Sequence, residues 1–307
     1  MDIYFPIAEM PISVPLLLAL GGGVGFLSGM FGIGGGFLMT PLLVIVGVPA
    51  PVAAASVANQ VVGASVSGAL AQWRRGNVDV RMAGLLIAAG FVGSAAGVAL
   101  FGLLRELGQI DLVIAACYVT LLGTLGLLME IESIRAWRRR RNPVGRRRKL
   151  HAHLWIHGLP LKMKFRASRL YISIFAPLSI GFGVGALSGV MGVGGGFVMV
   201  PALIYLLDMP TAMAVGTSLL QITVVAANVT FLQSVGNQTV DIMLALLLIV
   251  GSVIGAQLGT MFGGRLRGEH LRALLGLIVL VVAFRVAYDL TVNPDELFSL
   301  GLSGGRH

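Results

Sequence analysis

The chain has 307 residues, 56% of them hydrophobic and only 11% charged, with a formal net charge of +9 and a mean hydropathy of +0.91. A soluble domain carries about 25% charged residues, and a membrane barrel shows alternation over strands of about 10 residues rather than solid apolar runs; both classes are excluded. One cysteine, Cys117, excludes an internal disulfide and a cysteine cluster for metal.

In chain order, the N-terminus holds Asp2 and Glu9 with no Lys or Arg, unlike a secretory leader. Five apolar segments follow, near 12–31, 34–48, 51–73, 82–104 and 110–131. Thirteen of the 22 basic residues then lie between Arg135 and Arg169, with no acidic residue among them. The run RAWRRRRNPVGRRRK reads as a cytoplasmic loop under the positive-inside rule, not as a nucleic-acid site, and contact with anionic headgroups follows from the same charge. Within this linker, HLWIHGLPLKMKFRASR alternates Leu161, Met163 and Phe165 with Lys162, Lys164 and Arg166, which predicts a short β-hairpin around the Gly-Leu-Pro turn. His151, His153 and His157 would share a strand face there and are read as solvated histidines, not a metal site. Five more apolar segments occupy 170–191, 194–208, 211–233, 241–263 and 271–291.

The two sets are copies. GFLSGMFGIGGGFLMTPLL at 25–43 matches GALSGVMGVGGGFVMVPAL at 185–203, with a constant offset of 160. PAPVAAASVANQ at 49–60 matches PTAMAVGTSLLQ at 210–221, offset 161, pairing Ser56 with Thr217 and Gln60 with Gln221. Gly93 and Gly97 match Gly255 and Gly259, a four-residue spacing that predicts a packing face. The expected organisation is a first repeat over 1–133, the basic linker over 134–169, a second repeat over 170–292 and a tail over 293–307. The second segment of each repeat is short, and a glycine run precedes it. Each glycine lowers helix stability by up to ~1 kcal/mol relative to alanine, so the helix should break there.

Basic loops swap place between the halves. Arg74, Arg75 and Arg81 follow the third segment of the first repeat, while Arg265, Arg267 and Arg272 follow the fourth segment of the second. This predicts an all-α polytopic membrane protein of two inverted repeats, with eight full transmembrane helices and two short broken or re-entrant ones. The basic linker is then cytoplasmic and both termini extracytoplasmic. Trp73, Trp137 and Trp155 suit the inner interface.

Away from their ends the segments hold no Lys, His or Arg except Arg285, four residues before Asp289. An intramembrane catalytic cluster is absent, so the chain is not read as an enzyme. What remains is backbone. Helices restarting after Gly34, Gly35 and Gly36, and after Gly194, Gly195 and Gly196, would aim unpaired N–H groups and positive dipole ends at the midplane, beside Phe37 and Phe197. That suits a small anion; close helix packing by small residues is the competing reading. Polar Asn59, Gln60, Thr217, Ser218 and Gln221 lie inside apolar helices, so they should face either a cavity or another helix.

The paired glycine motifs, AVGTSLLQ at 214–221 and the GNxxVD-like turns resemble the TauE/SafE sulfite exporter family, across about five-sixths of the chain. ASVANQ stands in the first half where TSLL-type residues are usual for the family. The resemblance implies a secondary transporter moving sulfite, a sulfonate or thiosulfate across the inner membrane of a bacterium, with H+ or Na+ as a coupling ion and no cofactor. A passive anion channel is the alternative.

Overall fold

The computed structural model describes residues 2–7, 10–31, 35–141, 161–165, 167–168, 170–237, 240–263 and 268–292. Gly34, the three linker histidines, Trp155, Arg265, Arg267 and the tail after 292 lie outside the described residues, as do the side chains of Trp137, Arg272 and Asp289.

A hairpin of β1 (Asp2–Phe5) and β2 (Met10–Ser13) leads into α1 (Val14–Phe31), α2 (Gly36–Val46), α3 (Ala50–Arg74), α4 (Val80–Glu106) and α5 (Ile110–Arg141). The order then repeats. A hairpin of β3 (Lys162–Phe165) and β4 (Leu170–Ser173) leads into α6 (Phe175–Met191), α7 (Gly196–Tyr205), α8 (Thr211–Leu232), α9 (Ile242–Gly263) and α10 (Gly268–Val292). A π-helical turn, Gln233–Asn237, extends α8. The second hairpin differs from the sequence expectation. Its strands join through Ala167 and Ser168, since Phe165 pairs with Leu170 and is buried beside Met82, Leu86 and Met199, while Gly-Leu-Pro lies outside the described residues.

Among the described residues, five helices are long and apolar enough to cross a membrane, ending with Ile242–Gly259, and five more are shorter apolar helices. The two shortest, α2 and α7, have 11 and 10 residues. At 1.5 Å per residue they reach ~16 Å, about half of a ~30 Å hydrocarbon core. Phe91, Val92, Leu112, Leu128, Val250, Ile254 and Phe284 are large apolar residues left exposed, as suits lipid-facing helices.

The halves exchange partners. α1 lies along α9, α4 lies along α6, and α3 and α8 pack together, as do α5 and α10. Glycine makes the first two contacts close. A Cβ on Gly255 or Gly259 would come 2.0 or 2.1 Å from the carbonyl oxygens of Gly22 and Phe26, and one on Gly93 or Gly97 would come 2.2 Å from those of Phe182 and Ala186. α3 and α8 run antiparallel. Gly68 near the end of α3 meets Leu219 near the start of α8, whereas Ser56 near the start of α3 bonds to Asp241 beyond α8.

Two buried carboxylates brace this arrangement in the same way. Asp79 caps α4, its Oδ1 accepting the Arg81 and Met82 N–H groups, each at 3.2 Å. Its Oδ2 accepts the N–H of Ser168 at 3.0 Å and the Ser168 hydroxyl, and its own N–H donates to Thr217 Oγ1 at 3.1 Å. Asp241, before α9, accepts from Leu244 N–H at 3.1 Å and from Ile7 N–H at 3.3 Å, and donates its N–H to Ser56 Oγ at 3.1 Å. Each half's hairpin is thus tied to the aspartate of the other half. Arg285, instead, has its guanidinium 5.9 Å from the Tyr288 ring.

Candidate functional site

The short helices begin where the glycine runs end. Gly35 precedes α2 with φ +66°, and Gly194 and Gly195 precede α7 with φ +72° and +70°. Residues with a side chain rarely adopt this left-handed backbone, which here ends one helix and starts the next within a few residues. In α7 the first intrahelical bonds are donated by Val198 and Met199, both to the Gly195 carbonyl, so the Gly196 and Phe197 N–H groups lie ahead of the helical ladder.

These two starts face each other. The rings of Phe37 and Phe197 stack with centroids 5.4 Å apart and planes at 19°. Phe37, Val61, Val193, Phe197 and Ile222 belong to one buried apolar cluster. A Cβ on Gly36 would lie 2.4 Å from Val61 and 2.8 Å from the Val193 carbonyl oxygen, one on Gly194 would lie 2.5 Å from Val61, and one on Gly195 would lie 2.2 Å from Val184. Close packing and a broken helix are therefore both present at these glycines.

Two glutamines lie on the helices that pack on this centre, each next in sequence to one of its apolar residues. Gln60, beside Val61, and Gln221, beside Ile222, are both 0% exposed. Among the described residues neither the Nε2 nor the Oε1 of either side chain has a hydrogen-bond partner. Gln221 Nε2 lies 3.0 Å from where a Cβ on Gly90 would sit, against α4. Burying an amide without a partner costs about 2–7 kcal/mol. Two fully unpaired amides at equivalent positions beside two helix starts are groups that a ligand can satisfy. The Nε2 groups can donate to an oxyanion, and the Oε1 groups can accept from a protonated one or ligate a cation.

The other sequence candidates fall elsewhere. Thr217 Oγ1 accepts the Asp79 N–H, so it belongs to the brace. Ser218 Oγ donates to Val215 O in its own helix at 3.0 Å. Asn59 is partly exposed. Two residues that sequence reasoning matched but did not place at the site are Ser28 and Ser188. Ser188 Oγ is buried without a partner among the described residues, and Ser28 Oγ lies 3.2 Å from the Cβ position of Gly35. Their recurrence at the repeat offset of 160 was the available signal.

The family model described as sulfite exporter TauE/SafE matches residues 17–286. A "Probable membrane transporter protein" of Xylella fastidiosa (strain 9a5c) is 33% identical over 280 residues, covering 90% of this chain and 95% of that one. The "Probable membrane transporter protein YjnA" of Bacillus subtilis (strain 168) is 26% identical over 283 residues, 90% of this chain and 100% of its own. No solved structure gives a significant match.

Proposed function

The chain belongs to the sulfite exporter TauE/SafE family, and from that membership and the paired central geometry we propose a secondary transporter of a small sulfur-containing oxyanion, such as sulfite, a sulfonate or thiosulfate. The carrying observation is the meeting of two glycine-broken helix starts, with Gln60 and Gln221 on the helices packed there and their buried amides without a partner among the described residues. In this reading Gly34, Gly35, Gly36, Gly194, Gly195 and Gly196 give the anion N–H donors and positive dipole ends. Gln60 and Gln221 add donors without adding charge, so the anion is held and then released. The Phe37–Phe197 pair borders the site. The glutamine oxygens would serve a coupled H+ or Na+.

The antiparallel packing of α3 with α8 supports two inverted repeats rocking about a fixed central site. Arg74, Arg75 and Arg81 sit at the α3–α4 end, where Ser168 ties the linker's hairpin to Asp79. That end and the linker are assigned to the cytoplasm of a bacterial inner membrane, next to anionic headgroups, and both termini to the outside. Single cysteines at Asn77 and Asn237 in a Cys117→Ser background should label from opposite sides; labelling from one side would overturn the inverted arrangement.

The function is tested with purified protein in proteoliposomes carrying an imposed ion gradient. Accumulation of sulfite, thiosulfate or a sulfonate above the external concentration is expected. Equilibration without accumulation would make the protein a passive channel.

A further inference from the structure

A recess of about 130 Å³ opens among α1, α3, α8 and α9. Its wall includes Ser28, Ser67, Gln72, Arg75 and Gln257. The volume is ample for several waters or a small oxyanion. Ser28 is 7% exposed and lines the recess. It also abuts the Gly35 turn, so the inner end of the recess reaches the α1–α2 break. Arg75, the C-cap of α3, is exposed and gives the same recess a cation.

The equivalent place in the other half, found by adding the repeat offset of 160 to 162, is shut. Gly68 becomes Val229 and Ala71 becomes Leu232. Val225 and Val229 are buried with Ala58 and Val98, and Leu232 packs on them. Asn228 Nδ2 donates to Ser94 Oγ at 2.8 Å. Gln233 Nε2 donates to the Gly189 carbonyl at 3.3 Å, tying α8 to α6. Arg105 Nη1 donates to Asn237 O at 2.6 Å, tying α4 to the π-helical turn. Gln72, the counterpart of Gln233, accepts from Asn77 at 2.9 Å but makes no bond to Gly29, the counterpart of Gly189.

We propose that the recess is the open access path to the central site, that Arg75 is the residue that draws anions into it, and that the Gln233–Gly189 and Asn228–Ser94 bonds latch the equivalent path shut. This rests on the transporter reading. A cation at the mouth of a cleft with low-dielectric walls focuses its field along the cleft and raises the local anion concentration. When the molecule turns over, Gln72 takes the Gly29 carbonyl and Gln233 releases its own.

The experiment compares Ser67→Cys with Val229→Cys in a Cys117→Ser background, in membrane vesicles of both orientations, using an anionic and a neutral methanethiosulfonate reagent. Ser67→Cys should react at least tenfold faster than Val229→Cys, and only from the side that also labels a cysteine at Asn77. Adding Arg75→Gln should slow the anionic reagent at that cysteine about three- to tenfold and leave the neutral one unchanged. In transport, Arg75→Gln should raise KM from that side with kcat kept. Equal reactivity of the two cysteines, or equal effects on the two reagents, would overturn the proposal. The labelling needs no transport, so a wild-type protein that moves no sulfur oxyanion would sink the transporter reading while the labelling still tests the path.

Discussion

Asp79 and Asp241 make matching bonds in the two halves, whereas Gln72 and Gln233 match only in the bond each accepts from the asparagine of its turn, and Gln233 alone bonds to the facing helix. The aspartates hold a hairpin, a helix start and a hydroxyl of the opposite half in one arrangement. The glutamines, each on a polar turn at the end of its helix, differ: one lines an open recess and the other bridges a closed seam. Under the proposed rocking of the halves, matched contacts would persist in both states and act as scaffold, and unmatched contacts would mark where the two ends of the molecule differ in state.

The largest expected effect breaks the matched part. Asp79→Ala removes an N-cap and leaves the Arg81, Met82 and Ser168 N–H groups without their acceptor. A lost cap is worth ~1 kcal/mol, and each unpaired buried donor about 1–3 kcal/mol. Loss of most folded protein is expected for Asp79→Ala, and nearly as much for Asp241→Ala, read by detergent size-exclusion and thermal denaturation. If one variant were well folded and the other not, the braces would not be equivalent.

Next come the glycine turns. Gly195→Ala puts a methyl 2.2 Å from Val184, whereas Gly35→Ala puts one 3.0 Å from Ser28 Cβ. Both also strain a positive φ. Gly195→Ala should lower thermal stability more, while Gly35→Ala should insert and lose transport by at least tenfold. Equal stability and near-normal transport in both would leave these glycines no special part in the site.

Gln60→Leu and Gln221→Leu separate binding from folding. Their amides have no partner among the described residues, so an apolar side chain of similar size should leave the denaturation midpoint unchanged or higher. A hydrogen bond to a charged ligand is worth about 1.5–3 kcal/mol, so KM should rise roughly ten- to a hundredfold. Lower midpoints with unchanged KM would make both glutamines structural.

The residues carry much of this in plain form. The helix limits follow from apolar runs bounded by Gly and Pro, as at Pro49 and Pro210 before α3 and α8. α5 runs on to Arg141 rather than stopping near 131, because RAWRRRR is good helix-forming sequence and Asn142-Pro143 disfavours its continuation. The N-terminal hairpin was missed, since four-residue strands give too short an alternation to register. At the site, the Gln60/Gln221 pair was legible from the offset alone. The part played by Thr217 was not, because its partner Asp79 is 138 residues away. Nor was the recess, which depends on Gly68 and Ala71 standing opposite Val229 and Leu232 on one helix face.

The smallest effect tests that asymmetry directly. Gln233→Leu removes the bond to the Gly189 carbonyl, long at 3.3 Å, from the closed seam, together with the bond that Gln233 Oε1 accepts from Asn237, which Gln72→Leu matches by losing the bond from Asn77. A neutral hydrogen bond contributes about 0.5–1.5 kcal/mol net, which is roughly a two- to twelvefold shift in an equilibrium between closed and open seams. Labelling of Val229→Cys from the side that reaches Asn237 should therefore quicken by that factor. Gln72→Leu makes the equivalent change where no such bond exists, so it should leave that rate unaltered. The apolar packing of Val225, Val229 and Leu232 limits the gain, since opening the seam still exposes them. If Gln72→Leu and Gln233→Leu quickened the labelling equally, the Gln233 bond would hold nothing shut, and the seam would be closed by side-chain bulk alone.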